Sequence, residues 1–138
     1  WPIHNHMAWA CVLRDNVCLH EKLMRISFFN CDAFTLAHNV FASQDALVVD
    51  ASYTGVRALQ GNCFYSRTGS VRWEFHDRLP SLERNAGSTP ALPRNQGSVV
   101  VNPGCRCENG VIVYEDRALA EKLGLPALDV RGAGCGRD

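Results

Sequence analysis

Asn30-Cys31-Asp32-Ala33-Phe34-Thr35-Leu36-Ala37-His38-Asn39-Val40-Phe41-Ala42 is the stretch on which the fold turns. Apolar residues recur at Ala33, Phe34, Leu36, Ala37, Val40 and Phe41, a spacing that suits one buried face of a helix over Asp32–Ala42. Asn30 is a suitable cap ahead of it. The same residues also suit a strand hairpin, so the pattern leaves two structures open. On the helical reading Cys31 sits at a helix N-terminus, where the backbone N–H groups favour a thiolate.

Upstream, Met7–Leu13 and Val17–Leu23 read as strands around a polar Arg14-Asp15-Asn16 turn, and Arg25–Phe29 as a third β-prone run. Downstream, Ala46–Val49 is a short strand, and Cys63–Tyr65 and Val71–Phe75 flank a Gly-containing turn. Pro80–Gly97 is rich in Pro, Gly, Ser and Asn and reads as a long loop. Val99–Val101 and Val111–Tyr114 are expected to pair as a hairpin across Asn102–Gly110. Asp116–Leu123 is the best helix, ended by Gly124 and kept from continuing by Pro126. The Gly-rich tail Arg131–Asp138 is expected to be mobile. No internal repeat stands out.

The chain has 138 residues, 46% hydrophobic and 20% charged, which fits a single globular domain over 1–138. Fourteen basic and 14 acidic residues cancel, so composition argues for neither a nucleic-acid nor a membrane-surface binder. Seven irregularly spaced cysteines leave at least one thiol unpaired and favour a reducing compartment. No apolar run approaches the ~18–20 residues needed to span a bilayer. Trp1 in place of Met fits a processed product or a polyprotein fragment.

Three residues form the leading candidate site. Cys31 would be the nucleophile. His6 and His20 bracket His6-Met7-Ala8-Trp9-Ala10-Cys11-Val12-Leu13-Arg14-Asp15-Asn16-Val17-Cys18-Leu19-His20. One imidazole can act as base and then acid, and a second polar group can orient it. At these residues the chain resembles the H-box/NC proteins, the permuted branch of the papain-like NlpC/P60 superfamily. That branch includes lecithin-retinol-acyltransferase-like (LRAT-like) enzymes and the 2A proteins of picornaviruses such as kobuviruses and parechoviruses. Asn30, Cys31, Asp32 and Phe34 follow its Asn-Cys-Glu-His-Phe motif, with Ala33 where the motif has His. His6, Ala8 and His20 follow its H-box, with Met7 where an aromatic is usual.

The resemblance implies a papain-like α+β domain, an antiparallel sheet with two or three helices. It implies Cys31 as nucleophile, His6 as base and His20 as orienting residue. The expected protein is a viral 2A-type non-structural protein of the host cytoplasm. It would act with host or viral proteins in genome replication and host interaction, either transferring or hydrolysing an acyl group of a lipid-like substrate through a Cys31 thioester or having lost catalysis.

Other readings stand beside it. Ala33–Asn39 with Gly134-Cys135-Gly136 looks like the His and nucleophile turns of chymotrypsin-like proteases, with Asp45 or Asp50 orienting His38. Asp15-Asn16-Val17-Cys18-Leu19 looks like the nucleophile motif of OTU-type proteases, with His76 as base. Cys105 and Cys107 could take zinc, with two further ligands from Cys135, Cys63 or His76. The remaining class is a non-catalytic interaction module whose cysteines are structural or metal-bound.

Overall fold

The computed structural model describes residues 3–52, 55–75 and 94–131, and only the backbone of His6 and Phe75. The chain winds into a parallel β-solenoid. The first coil carries β1 (Ile3–His6), β2 (Cys11–Arg14) and β3 (Val17–His20). The second carries β4 (Met24–Phe29), β5 (Phe34–Ala37) and β6 (Val40–Ser43). The third carries β7 (Leu47–Ala51), β8 (Val56–Gln60) and β9 (Cys63–Ser66). A fourth set follows, β10 (Val71–Phe75), β11 (Asn95–Gln96) and β12 (Val99–Val100).

Each strand pairs in parallel with its counterpart one coil away. The result is three sheets ordered β1-β4-β7-β10, β2-β5-β8-β11 and β3-β6-β9-β12. Ile3 faces Ile26 and Ile26 faces Val49, a step of 23 residues. Leu13, Leu36 and Leu59 keep the same step in the second sheet. Between the third coil and the fourth the step widens, so that Cys63 pairs with Val99; residues 76–93 lie within that interval.

This overturns the expected α+β, antiparallel, papain-like fold. Asp32–Ala42 is not a helix but β5, a corner and β6. Phe34 and Leu36 point inward, the chain bends at His38–Asn39, and Phe41 points inward again. That corner breaks the alternation of two and counterfeits a helical period. Ala37 and Val40 point away from this core yet are buried, which completes the imitation.

The Arg14-Asp15-Asn16 turn joins strands of two different sheets, not a hairpin. Ser66–Ser70 likewise links β9 to β10 without pairing them. Val99–Val100 pairs with β9, and the true hairpin is β13 (Cys105–Glu108) with β14 (Val111–Tyr114). The terminal helix stands as read: α1 (Arg117–Leu123) is capped by Asp116, which accepts the Leu119 N–H at 2.8 Å, and closed by left-handed Gly124. The loop expected over Pro80–Gly97 contains β11 at its end, and its first fourteen residues lie outside the described ones, as does nearly all of the Arg131–Asp138 tail.

Two features fix the winding. The first is a core of inward residues from all three sheets. Phe28 and Phe34 stack with ring centres 4.4 Å apart, Phe41 stacks on Phe64 at 5.6 Å, and Phe64 meets Trp73 edge-on at 5.3 Å. Each such side chain taken from water contributes about 1.5–3 kcal/mol. The second is a ladder of carboxamides at the corner between the second and third sheets. Asn16 Nδ2 donates to Asn39 Oδ1 at 3.0 Å, Asn39 Nδ2 to Asn62 Oδ1 at 2.9 Å, and Asn62 Nδ2 to Ser98 Oγ at 3.0 Å. The residue before each rung is left-handed, at φ 59, 55, 57 and 81° for Asp15, His38, Gly61 and Gly97. Asp, His and Gly are among the residues that accept this region most readily. The same corner chemistry therefore recurs in every coil.

Candidate functional site

The backbone brings Cys31 beside the end of β1, where His6 lies, and sets His20 apart on the third sheet. Cys31 sits at the corner between the first and second sheets, 1% exposed and packed with the core. Its Sγ faces the carbonyls of Asn5 and Phe29 at 3.8 and 3.7 Å. No helix begins there; Asn30 is a left-handed corner residue and the next element is β5. His6 ends β1 in register with Phe29. His20 ends β3 on the third sheet, exposed, with Lys22 N–H donating to its Nδ1 at 3.2 Å.

His38 Nδ1 donates to the Leu123 carbonyl at 2.7 Å, so that nitrogen faces neither Asp45 nor Asp50. Asp50 lies on the outer face of the first sheet, where Arg25 Nη1 reaches it at 3.1 Å and Glu74 at 3.0 Å. Cys18 faces the core from β3 and its pKa is raised by burial. Cys135 and His76 lie outside the described residues. Cys107 is exposed while Cys105 is partly buried against the third sheet. Among the described residues no three His, Cys, Asp or Glu side chains gather as a metal site. Nor is any helix there long and apolar enough to cross a membrane.

The feature that sequence reading missed is a lateral arm. After β12 the chain leaves the solenoid, forms the β13–β14 hairpin and α1, and folds back on the outer face of the third sheet. Val40 and Cys63 point outward there, yet both are 0% exposed. Leu119, Leu123, Leu125, Tyr114 and Cys105 of the arm cover them. Tyr114 Oη donates to the Pro126 carbonyl at 2.9 Å, and Ile112 N–H to Leu128 at 2.8 Å, which ties the segment after the helix to the hairpin. The His38–Leu123 hydrogen bond pins the end of α1 to the corner of the second coil.

Where the arm departs, Asn102–Cys105 crosses the ends of β3, β6 and β9 and leaves a groove of about 270 Å³. Its floor is a register column, Leu19–Ala42–Tyr65. The small Ala42 between two larger neighbours makes the depression. His20, Glu21 and Gln44 line one part, and Asn102 and Pro103 belong to the arm's wall. His20 Nδ1 lies 3.2 Å from both the N–H and the carbonyl of Lys22, so it accepts from the one or donates to the other according to the tautomer. The signal that would have found this column was the repeated Leu-x-x-Asn at 13–16, 36–39 and 59–62.

The arm contact is sensitive to alkali. Burial pushes Cys63 up to about 12, and the neighbouring Cys105 adds to the rise. Cys105 is pushed to about 11 by burial and then by Cys107. Tyr114 is raised by burial, then by the same two thiols. Unfolded thiols ionise near 9.0 while the folded ones stay protonated. The folded state therefore binds more protons between about 9 and 12, and stability falls as pH rises through that window. Thermal midpoints measured from pH 8 upward should fall more steeply for the natural chain than for Cys63→Ala. Coincident slopes would remove Cys63 as a cause.

The fold and groove together define a parallel β-solenoid with a docked hairpin–helix arm. Comparison of the chain with protein-family models, curated proteins and solved structures finds no match in any of the three.

Proposed function

We propose that this chain is a non-catalytic recognition module that binds a saccharide in the groove between the third sheet and the arm. The observation that carries the reading is the Leu19–Ala42–Tyr65 column walled by Asn102 and Pro103. It supplies a partly exposed aromatic ring with hydrogen-bonding groups of both kinds around it. Small-ligand sites combine such a concave, largely apolar floor with a few convergent polar groups. A sugar presents apolar C–H faces to an aromatic ring and hydroxyls to carboxamide, carboxylate and imidazole groups; Gln44, Asn102, Glu21 and His20 are of these types. This reading keeps the interaction-module alternative and moves the binding surface from the cysteines to the groove.

The test is an amide-resolved NMR titration with cello-, chito- and malto-oligosaccharides up to about 10 mM, the range of weak binders. At least one should perturb residues 19–21, 42–44, 65 and 102–105, and Tyr65→Ala should weaken it about tenfold. Silence with all three classes, or a response that Tyr65→Ala leaves unchanged, would reject the saccharide reading.

A further inference from the structure

The groove's own wall narrows the class of sugar, an inference that rests on the saccharide reading. β13 and β14 pair antiparallel, with Cys105 facing Tyr114 and Arg106 facing Val113. Hydrogen-bonded and non-hydrogen-bonded positions alternate along such a pair. Glu115 N–H donates to the Gly104 carbonyl at 3.1 Å, so Gly104, Arg106 and Glu108 hold the hydrogen-bonded positions. The N–H and C=O of Cys105 therefore point away from β14, and among the described residues no strand lies on that side. Neither group has a hydrogen-bond partner among the described residues. Cys105 lines the groove while no residue of β14 does, so this unpaired edge is turned to the groove.

The turn before β13 adds a fixed donor. Asn102 Oδ1 accepts the Gly104 N–H at 3.0 Å, which orients the carboxamide, and its Nδ2 has no acceptor among the described residues. The remainder of this recess is apolar, made by the Ala42 methyl, Leu19 and the Pro103 ring. The Cys105 thiol beside them is kept neutral by burial. A bare hydroxyl makes poor use of such a wall. A methyl-bearing amide uses all of it, since it brings a donor, an acceptor and an apolar end in one plane.

We propose that the groove selects N-acetylated amino sugars, with the acetamido N–H donating to the Cys105 carbonyl, the acetyl oxygen accepting from Asn102 Nδ2, and the acetyl methyl resting against Ala42. A trans amide sends its N–H and C=O to opposite sides, so two separate protein groups must meet them. The strand edge supplies one and the turn carboxamide the other. The sugar ring then lies on Tyr65, and the Cys105 N–H remains for a ring hydroxyl. A sugar with a hydroxyl in place of the acetamido group loses the methyl contact and leaves one polar group unmet, which is the kind of difference that sites discriminate best.

The test titrates the intact protein with trimers of N-acetylglucosamine, glucosamine and glucose of the same linkage, read by amide-resolved NMR. The N-acetylated trimer should bind about tenfold more tightly than the other two. It should also shift the Cys105 backbone amide and the Asn102 side-chain amide. Asn102→Asp keeps the oxygen that holds Gly104 and removes the donor, so it should erase most of that preference. Equal affinity of the three trimers, tighter binding of either unacetylated one, binding of malto-oligosaccharides alone, an unmoved Asn102 amide, or a preference that survives Asn102→Asp would overturn the proposal and leave the saccharide reading standing. Silence with all of these sugars would overturn both.

Discussion

Asn39→Asp should cost about 3–5 kcal/mol at neutral pH, enough to lower the thermal midpoint by roughly 10–20 °C. Asn39 is 0% exposed and is the central rung of the ladder. Its Nδ2 donates to Leu13 O at 2.9 Å and to Asn62 Oδ1 at 2.9 Å. A carboxylate there has no hydrogens to give. It would face two acceptors in a buried corner, with only the Asn16 N–H and Nδ2 donors on its favourable side. Burial and the facing oxygens raise the folded pKa of the introduced carboxyl above its unfolded value of ~3.9. The sign follows: the charge penalty is absent below the unfolded value and grows as pH rises through the folded one, while the neutral acid, with one O–H for the two acceptors that the Asn39 amide serves, still forgoes one hydrogen bond. The gap between the midpoints of the variant and the natural chain should therefore be smallest near pH ~4 and widen toward pH 7. Thermal melts at both pH values test this, and a pH-independent gap would show that lost packing, not charge, dominates.

Gly61→Ala should release the arm. Gly61 is left-handed at φ 57°, and a Cβ there would lie 2.5 Å from the Leu123 carbonyl oxygen and 2.9 Å from His38 Nδ1. The backbone conformation alone costs an L-residue about 1–2 kcal/mol. The clash adds to it, because the first obstacle is a backbone oxygen and the second is the ring that holds that oxygen. The cheapest relief is for α1 to move away, giving up the Leu123 contact with Val40 and Cys63. Hydrogen exchange should accelerate across residues 105–125 while the strands of the first two coils keep their protection. Because Asn102 and Pro103 form the groove's wall, oligosaccharide binding should be lost in the same variant. Unchanged exchange in α1 would mean that the corner, not the arm, yields.

Much of the local structure was legible. The runs at Met7–Leu13, Arg25–Phe29 and Val71–Phe75 overlap β2, β4 and β10, and alternating or β-branched residues marked them. The Asp116 cap, Gly124 and Pro126 located α1, since caps act within a single turn of chain. The segment from Asp32 to Ala42 was not legible, because a left-handed corner at His38 shifted the inward phase and the outward Val40 was buried by a distant arm. The repeat was hidden because only Leu13, Leu36, Leu59 and the carboxamides recur, while a column such as Leu19–Ala42–Tyr65 varies freely wherever the solenoid faces outward.

The candidate site divides the same way. Cys31 was noticed for its neighbours in sequence, but its setting is made by the carbonyls of Asn5 and Phe29. The sequence alone located α1 and several of the strands, because propensity, alternation and capping are local. The tertiary structure decided that the strands stack in parallel at a 23-residue step, that the arm returns to the third sheet, and that a groove opens beneath it. Those outcomes depend on hydrogen bonds and contacts between residues far apart in the chain, and an alternating strand pattern is equally compatible with antiparallel pairing. The polar ladder, whose rungs each need a partner one coil away, is what makes the stacked arrangement the one in which these buried carboxamides are satisfied.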